Sequence, residues 1–501
     1  MAHRGKAERK PETHVWALIA YEDEYVQPLI LDAMRAIFPP ESWTLVQPPK
    51  QGSEISLAHI VPSPDAKILQ ITPYETIDFG YALSNPQTCI VNSYIIRKAL
   101  IRKHFLSATV DGWAAKHPES ILKTHVKRSE AFEVDYAEFL DDALVEAFDL
   151  RASLERNAGQ GDADAENTGE GGLLAAKDRE WWILKPSMSD RGQGIRLFST
   201  MEELQDIFDT WEADMPDSDD EDDDEAAGDE TEETGEGLGG TGSEVTEKDF
   251  ITTSHLRHFV AQPYIDPPML LPQFDNRKFH IRTYVLAVGS LRVYVYKHML
   301  ALFASKPYQP PWATAAAAGS EDDSGNNSID LDAHLTNTCI QGPDARPDSV
   351  ARFWDLPLPP LSAQAAQTLP DAGHQLQPSG PHEAIFSQIC QLTGEVFEAA
   401  ARGMMVHFQP LAGAFEVYGL DFLVDARGTA WLLEVNAFPD FKQTGDDAGL
   451  RDVVAEFWKG VLRLAVGPFV TGCGEGVDGD QAGEVSDSDM VLVRSVDLGR
   501  R

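Results

Sequence analysis

Cysteine is scarce in this chain. The four in 501 residues, Cys89, Cys339, Cys390 and Cys473, stand far apart and form no C-x-x-C pair. That excludes a disulfide-stapled scaffold and a zinc knuckle, and it predicts reduced thiols in a cytosolic or nuclear compartment. Long apolar runs are missing too, and the opening MAHRGKAERKPETH has no hydrophobic core of a leader peptide. The expectation is a soluble cytoplasmic protein with no membrane partner. Basic residues are few, 41 Lys and Arg against 81 Asp and Glu, for a formal charge of −40. No basic stripe of the kind nucleic acid requires is present. Internal repeats are also absent.

Much of the negative charge is local. Residues 212–248 hold 17 acids and one base, Lys248, a net −16 around DSDDEDDDEAAGDETEE. Such a block cannot bury enough apolar surface to fold and is predicted to be a disordered insertion. Shorter stretches of similar character run from 157 to 173, 313 to 327 and 364 to 381, and the Gly/Asp/Ser-rich tail after 467 is predicted to be flexible. What remains has the periodicities of an α/β protein. Strands are expected at Thr13–Ala20 and Ala66–Ile71, and helices at Glu24–Ile37, Asn92–Ser107, Thr200–Trp211 and His382–His407. Thr200-Met-Glu-Glu203 has the form of a capping box. In the last helix Ile385, Ile389, Leu392 and Val396 recur on one face.

The most informative stretch is FEVYGLDFLVDARGTAWLLEVNAFP, residues 415–439. It reads as a hairpin of two apolar strands in which Asp421, Glu434 and Asn436 are the exceptions. Alternation puts Glu434 and Asn436 on one face. A two- or four-residue turn at Asp425–Gly428 pairs Asp421 with about residue 432 or 434, on that same face; a three-residue turn reverses the register. Two unpaired carboxylates buried among Phe, Leu and Val are costly, whereas two carboxylates and an amide oxygen suit Mg²⁺. A solvent-facing strand is the alternative.

Two further blocks supply cations. In WWILKPSMSDRGQGIRLF, Lys185 leaves an apolar strand into the loop Ser187–Gly194, whose Gly192 and Gly194 allow backbone N–H groups close to an anion. The loop lacks the Gly-Lys-Ser/Thr of a P-loop, and a glycine-bearing hairpin turn reads equally well. In the third block, 259–308, a short strand ends before Asp266-Pro267-Pro268, and a hairpin closes at Gly289-Ser290. Lys278, His280 and Arg282 alternate there with Phe279, Ile281 and Thr283, so one face is cationic and the other mostly apolar.

Taken in series, WWILKPSMSDRGQGI, FVAQPYI, NRKFHIRTYVL, HLTNTCIQ and the 415–439 hairpin resemble the tubulin-tyrosine ligase family, over most of 81–466. The resemblance implies an ATP-grasp fold and an ATP- and Mg²⁺-dependent ligase. Such an enzyme joins an amino acid, tyrosine in the type enzyme, to a protein carboxylate such as an acidic tubulin tail, through an acyl phosphate. It implies that Lys185 and Lys278 bind ATP phosphates under the Arg191–Gly194 loop (Arg191, Gly192, Gly194). Adenine would sit against the hinge of Gln262, Tyr264 and Ile265, with Asn337 near the triphosphate. Arg282 would meet the reacting groups, and Asp421, Glu434 and Asn436 would hold Mg²⁺. The domains implied are an N-terminal α/β domain (1–80), a central subdomain (81–211), the acidic insertion (212–249), a C-terminal subdomain with the metal hairpin (250–466) and a tail (467–501). The resemblance also implies a lysine near the nucleotide in the region of Arg97 and Lys98, which with Arg102 and Lys103 read equally well as a solvated basic face of the 92–107 helix.

Two departures stand out. The family's aspartate is replaced by His280 and an arginine by Leu302, and leucine has no donor with which to replace a guanidinium fork. Arg292 and Lys297 are nearby in sequence and are candidates to supply the missing charge. A scaffold that keeps the fold without the activity is therefore the rival reading, and glutamate or glycine in place of tyrosine is another.

Overall fold

The structure is a computed structural model that describes residues 14–21, 23–47, 56–63, 65–159, 173–189, 192–213, 257–313, 329–336, 348–361, 380–444, 447–471 and 487–499. Arg191, Asn337, Cys339, Cys473 and the acidic segment from 214 lie outside the described residues. The chain divides into two compact units, one made of residues 1–129 and 263–501, the other of 130–262.

The larger unit begins with a parallel sheet of order β2-β1-β3-β4, from β1 (Val15–Ile19), β2 (Trp43–Val46), β3 (Lys67–Ile71) and β4 (Cys89–Val91). Helix α1 (Val26–Ile37) connects β1 to β2 and buries Leu29, Ile30, Ala33 and Met34, as the strand-helix-strand pattern predicts. The single helix expected over Asn92–Ser107 is not formed. Residues 98–101 make one turn, Arg102 is extended at φ −100°, ψ 123°, and α2 (Lys103–Lys116) starts after it. The cause is tertiary: the Ile96 carbonyl accepts from Gln409 N at 2.9 Å and Ala99 N donates to the His407 carbonyl at 2.9 Å. Backbone groups bonded across the chain in this way cannot also run a continuous helical ladder.

The smaller unit is built on β5 (Glu130–Glu133), β6 (Trp182–Pro186), β7 (Arg196–Phe198) and β8 (His258–Pro263, whose last residue belongs to the larger unit), in the order β5-β8-β6-β7. Helix α3 (Met201–Ala213) lays Leu204, Phe208 and Trp211 against Trp182, Leu184, Phe198 and Phe259. Its capping box forms: Glu203 N donates to Thr200 Oγ1 at 3.1 Å, and Glu203 Oε2 accepts from Thr200 N at 3.3 Å. Glu212, expected to open the acidic insertion, belongs to α3 and accepts from Ala137 N at 2.8 Å.

The site is carried by a seven-stranded sheet in the larger unit. Its long central strand β9 (Arg277–Val288) pairs along its second half with β10 (Arg292–Tyr296) and along its first half with β11 (Leu300–Pro307), which continues to β12 (Val350–Arg352). On the other side it pairs with β13 (Phe415–Val424), and β13 pairs with β14 (Ala430–Ala437). Odd-numbered Phe279, Ile281, Val285 and Ala287 pack in one cluster with Ile385, Ile389, Leu392 and Val396 of α4 (Pro381–Gly403). Even-numbered Tyr284, Leu286 and Val288 pack with Phe457, Trp458 and Val461 of α5 (Ala448–Val461). The tail departs from the flexible expectation: Gly467–Thr471 is helical, and β15 (Met490–Ser495) pairs antiparallel with β10 at the sheet edge.

Candidate active site

Strand β9 decides the site. Its even-numbered side chains are apolar where α5 covers them and become Lys278, His280 and Arg282 toward the start of the strand, all buried. Pairing sets Asp421 opposite Arg282 and Leu302 opposite His280. Arg282 grips Asp421 with two bonds, Nε to Oδ1 at 2.5 Å and Nη2 to Oδ2 at 3.1 Å. Asp421 in turn pairs with Glu434, and Gly419 with Asn436. The three residues singled out in the hairpin therefore do share one face.

They do so by a route the sequence pattern did not show. Val424 pairs with Ala430, so the turn spans five residues, 425–429, an odd number that by itself would put Glu434 on the wrong face. A β-bulge restores the parity: Phe422 pairs with Leu432 but Asp421 with Glu434, leaving Leu433 as the extra residue.

The electrostatics of this cluster are strained in a directed way. Burial pushes the Asp421 carboxyl up to about 7, with Arg282 pulling it down and Glu434 adding to the rise. Burial also lowers His280, to about 3, and Arg282 and Lys278 add to the fall, so it is neutral. Its Nδ1 lies 2.6 Å from Thr336 Oγ1, while Nε2 is a buried atom with no hydrogen-bond partner among the described residues. The Asn436 amide nitrogen lies 3.1 Å from Glu434 Oε1 and 3.5 Å from Asp421 Oδ2. Among the described residues no three His, Cys, Asp or Glu side chains form a metal cluster; the set is two carboxylates and an amide. The two carboxylates are hard oxygen donors that fit Mg²⁺, the Asn436 oxygen would join them with its amide turned over, and a cation beside them would offset the repulsion from Glu434 that adds to the rise of Asp421.

The N-terminal part of the larger unit contributes one cation that the motifs did not assign. Lys103 Nζ lies 3.9 Å from Glu434 Oε2. It falls in the segment expected to be a single helix, and its place at the start of α2 follows from the break at Arg102. Arg97, a candidate for the family lysine, is buried elsewhere, paired with Glu416 at 2.5 Å and stacked over Tyr74. Leu302 is fully buried within the apolar cluster that includes Leu300 and Tyr284. Of the two cations considered as its replacement, Arg292 lies opposite Val288, six residues and about 20 Å along the strand from Arg282, while Lys297 follows β10 at the Arg282 end and is exposed.

The hinge side chains engage lysines. In the smaller unit Lys185, at the end of β6, donates to Gln262 Oε1 at 3.1 Å. The loop after it joins an antiparallel hairpin, the alternative reading of that stretch, and Gly192 and Gly194 have φ of 80° and 70°, which only glycine adopts readily. In the larger unit Lys278 donates to Tyr264 Oη at 3.0 Å. Ile265 is buried next to it in the chain.

Two carboxylates beside an arginine fork, with a lysine on the same strand of the larger unit, are the groups expected of an ATP-dependent ligase of the ATP-grasp class. The comparisons agree. The C-terminal domain of Kluyveromyces lactis Pby1, described as an ATP-grasp enzyme interacting with the mRNA decapping enzyme Dcp2, superposes with a TM-score of 0.58 at 31% identity, covering 97% of this chain and 99% of that one. The tubulin-tyrosine ligase family profile matches residues 100–470, and the chain belongs to that family. A probable tubulin-tyrosine ligase of Schizosaccharomyces pombe is 39% identical over 452 residues, 90% of this chain and 91% of that protein. The probable tubulin-tyrosine ligase PBY1 of Saccharomyces cerevisiae is 39% identical over 407 residues, 81% of this chain and 46% of the relative, so this chain spans about half of that protein. Among the described residues no helix is long and apolar enough to cross a membrane.

Proposed function

We propose that the protein joins an amino acid, tyrosine first, to the carboxylate of an acidic protein tail such as the C-terminus of α-tubulin, using ATP and Mg²⁺. The pairing of Asp421 with both Arg282 and Glu434 carries this reading. It sets an arginine fork against a buried and a half-buried acid whose mutual repulsion a cation would relieve. Asp421, Glu434 and Asn436 would hold Mg²⁺, which supplies charge neutralisation of the triphosphate when bound. Lys185 and Lys278 meet the phosphates, with Arg191, Gly192 and Gly194 as the covering loop and Asn337 beside them. Gln262, Tyr264 and Ile265 form the adenine hinge. Nε and Nη2 of Arg282 are taken by Asp421, so Nη1 is the group left for the reacting carboxylate or acyl phosphate. The tail carboxylate attacks the γ-phosphorus, ADP leaves, and the amine of the incoming amino acid displaces phosphate from the acyl carbon and loses a proton.

Calorimetry tests the assignment. Lys185→Ala and Lys278→Ala should each weaken ATP binding, and Glu434→Gln should abolish turnover while leaving the fold intact. Unchanged nucleotide affinity in both lysine variants, or wild-type turnover in Glu434→Gln, would end it. One observation favours a second reading: Leu302 is sealed in an apolar cluster, so no guanidinium stands where the family pattern has one, and neutral His280 replaces the family's fixed negative charge. A nucleotide-binding scaffold, or a ligase for glutamate or glycine, would be built this way. Leu302→Arg separates the two, since a gain in tyrosine addition marks a redirected ligase, and silence in both forms with ATP bound marks a scaffold.

A further inference from the structure

Tyr264 is buried, and three segments with separate motifs meet at its phenol. Lys278 Nζ donates to its oxygen at 3.0 Å and lies 4.3 Å from its ring centroid. His334, from the HLTN segment, brings Nδ1 to 2.8 Å from the same oxygen and packs edge-on with ring centroids 5.6 Å apart. Behind His334, Tyr308 packs edge-on at 5.8 Å and donates to Asp266. An ammonium has donors only, so the phenol oxygen is necessarily the acceptor toward Lys278. Burial keeps that phenol well above its ordinary range and therefore protonated and neutral.

A lysine on a four-carbon stem is otherwise free to sample many rotamers, and ordering it on binding weakens affinity. Here one oxygen and one ring face already fix it. We propose that Tyr264 is a positioning residue for Lys278, holding its ammonium where a nucleotide phosphate meets it; this rests on the reading of Lys278 as a phosphate ligand. The role differs from that of an adenine contact, because it acts through the lysine and not on the base.

The experiment is a double-mutant cycle on the full chain, with Mg-ATP affinity read by calorimetry and stability by thermal unfolding. Tyr264→Phe keeps the ring face and removes the acceptor, and should weaken ATP binding about 3- to 10-fold. Tyr264→Leu removes both and should weaken it further; it also serves if the Phe variant does not fold. In the Lys278→Met background both changes should lose their effect, because the group they position is gone. Equal losses in the two backgrounds, or wild-type affinity in Tyr264→Phe while Lys278→Met is impaired, would overturn the positioning role alone. Wild-type affinity in Lys278→Met would overturn the phosphate reading itself, and this inference with it.

Discussion

Arg282 and Asp421 sit together in a place where neither is stable alone. Both are buried, and their two-bond contact is the closest ion pair of the site. Removing one partner of a buried pair leaves an uncompensated charge, so Arg282→Ala should destabilise the protein by on the order of 3–5 kcal/mol in urea unfolding. Glu434 is only partly buried, and Glu434→Gln should change stability by less than about 1 kcal/mol. His334 gives a pH signature. Burial, with Lys278 adding, lowers it from 6.5 to about 3. The unfolded chain therefore takes up a proton below 6.5 that the native chain refuses, and the stabilisation present above 6.5 is lost as pH falls toward 3. His334→Asn, which retains an acceptor near the place of Nδ1, should flatten the stability slope between pH 6 and 4 by about 1.4 kcal/mol per unit. An unchanged slope in acid unfolding would mean that another group is responsible.

At the scale of elements, the hairpin of β13 and β14 shows what the sequence discloses and what it hides. Asp421, Glu434 and Asn436 were visible because polar residues inside apolar strands need a reason. The five-residue turn and the bulge at Leu433 were not, since parity can be restored in more than one way and alternation alone cannot choose. The alternation of β9 and the apolar face of α4 were legible for the same physical reason: burial imposes a period on the chain. The break at Arg102 and the strand β15 were not, because they depend on backbone partners far away in sequence, at His407, Gln409 and β10. Lys103 was missed with them. Close packing makes one position here testable. A Cβ added at Gly419 would lie 2.6 Å from Pro439 Cβ and 3.3 Å from Arg282 Cδ. Gly419→Ala should destabilise by about 1–3 kcal/mol and impair turnover by displacing Arg282, as unfolding and kinetics of the same preparation would report. Unaltered kinetics would say that Pro439 yields and the arginine does not move.

For the whole molecule, the charge of −40 would repel the proposed acidic acceptor. Deleting residues 214–248, which carry 16 of the acids and one base, removes 15 negative charges and leaves α3 with Glu212 in place. The deletion should leave ATP affinity unchanged and lower KM for an acidic peptide, most at low salt, where screening is weakest; an unaltered KM at low ionic strength would make the segment a bystander. The proposed reaction joins an amino acid to a protein carboxylate. Its most direct test is mass spectrometry of a detyrosinated tubulin-tail peptide incubated with the full chain, Mg-ATP and a mixture of amino acids. The predicted result is a mass increase of one amino-acid residue that requires ATP and disappears with Glu434→Gln. An unmodified peptide, alongside a protein shown by calorimetry to bind ATP, would contradict ligation to a tubulin tail and leave the scaffold reading in its place.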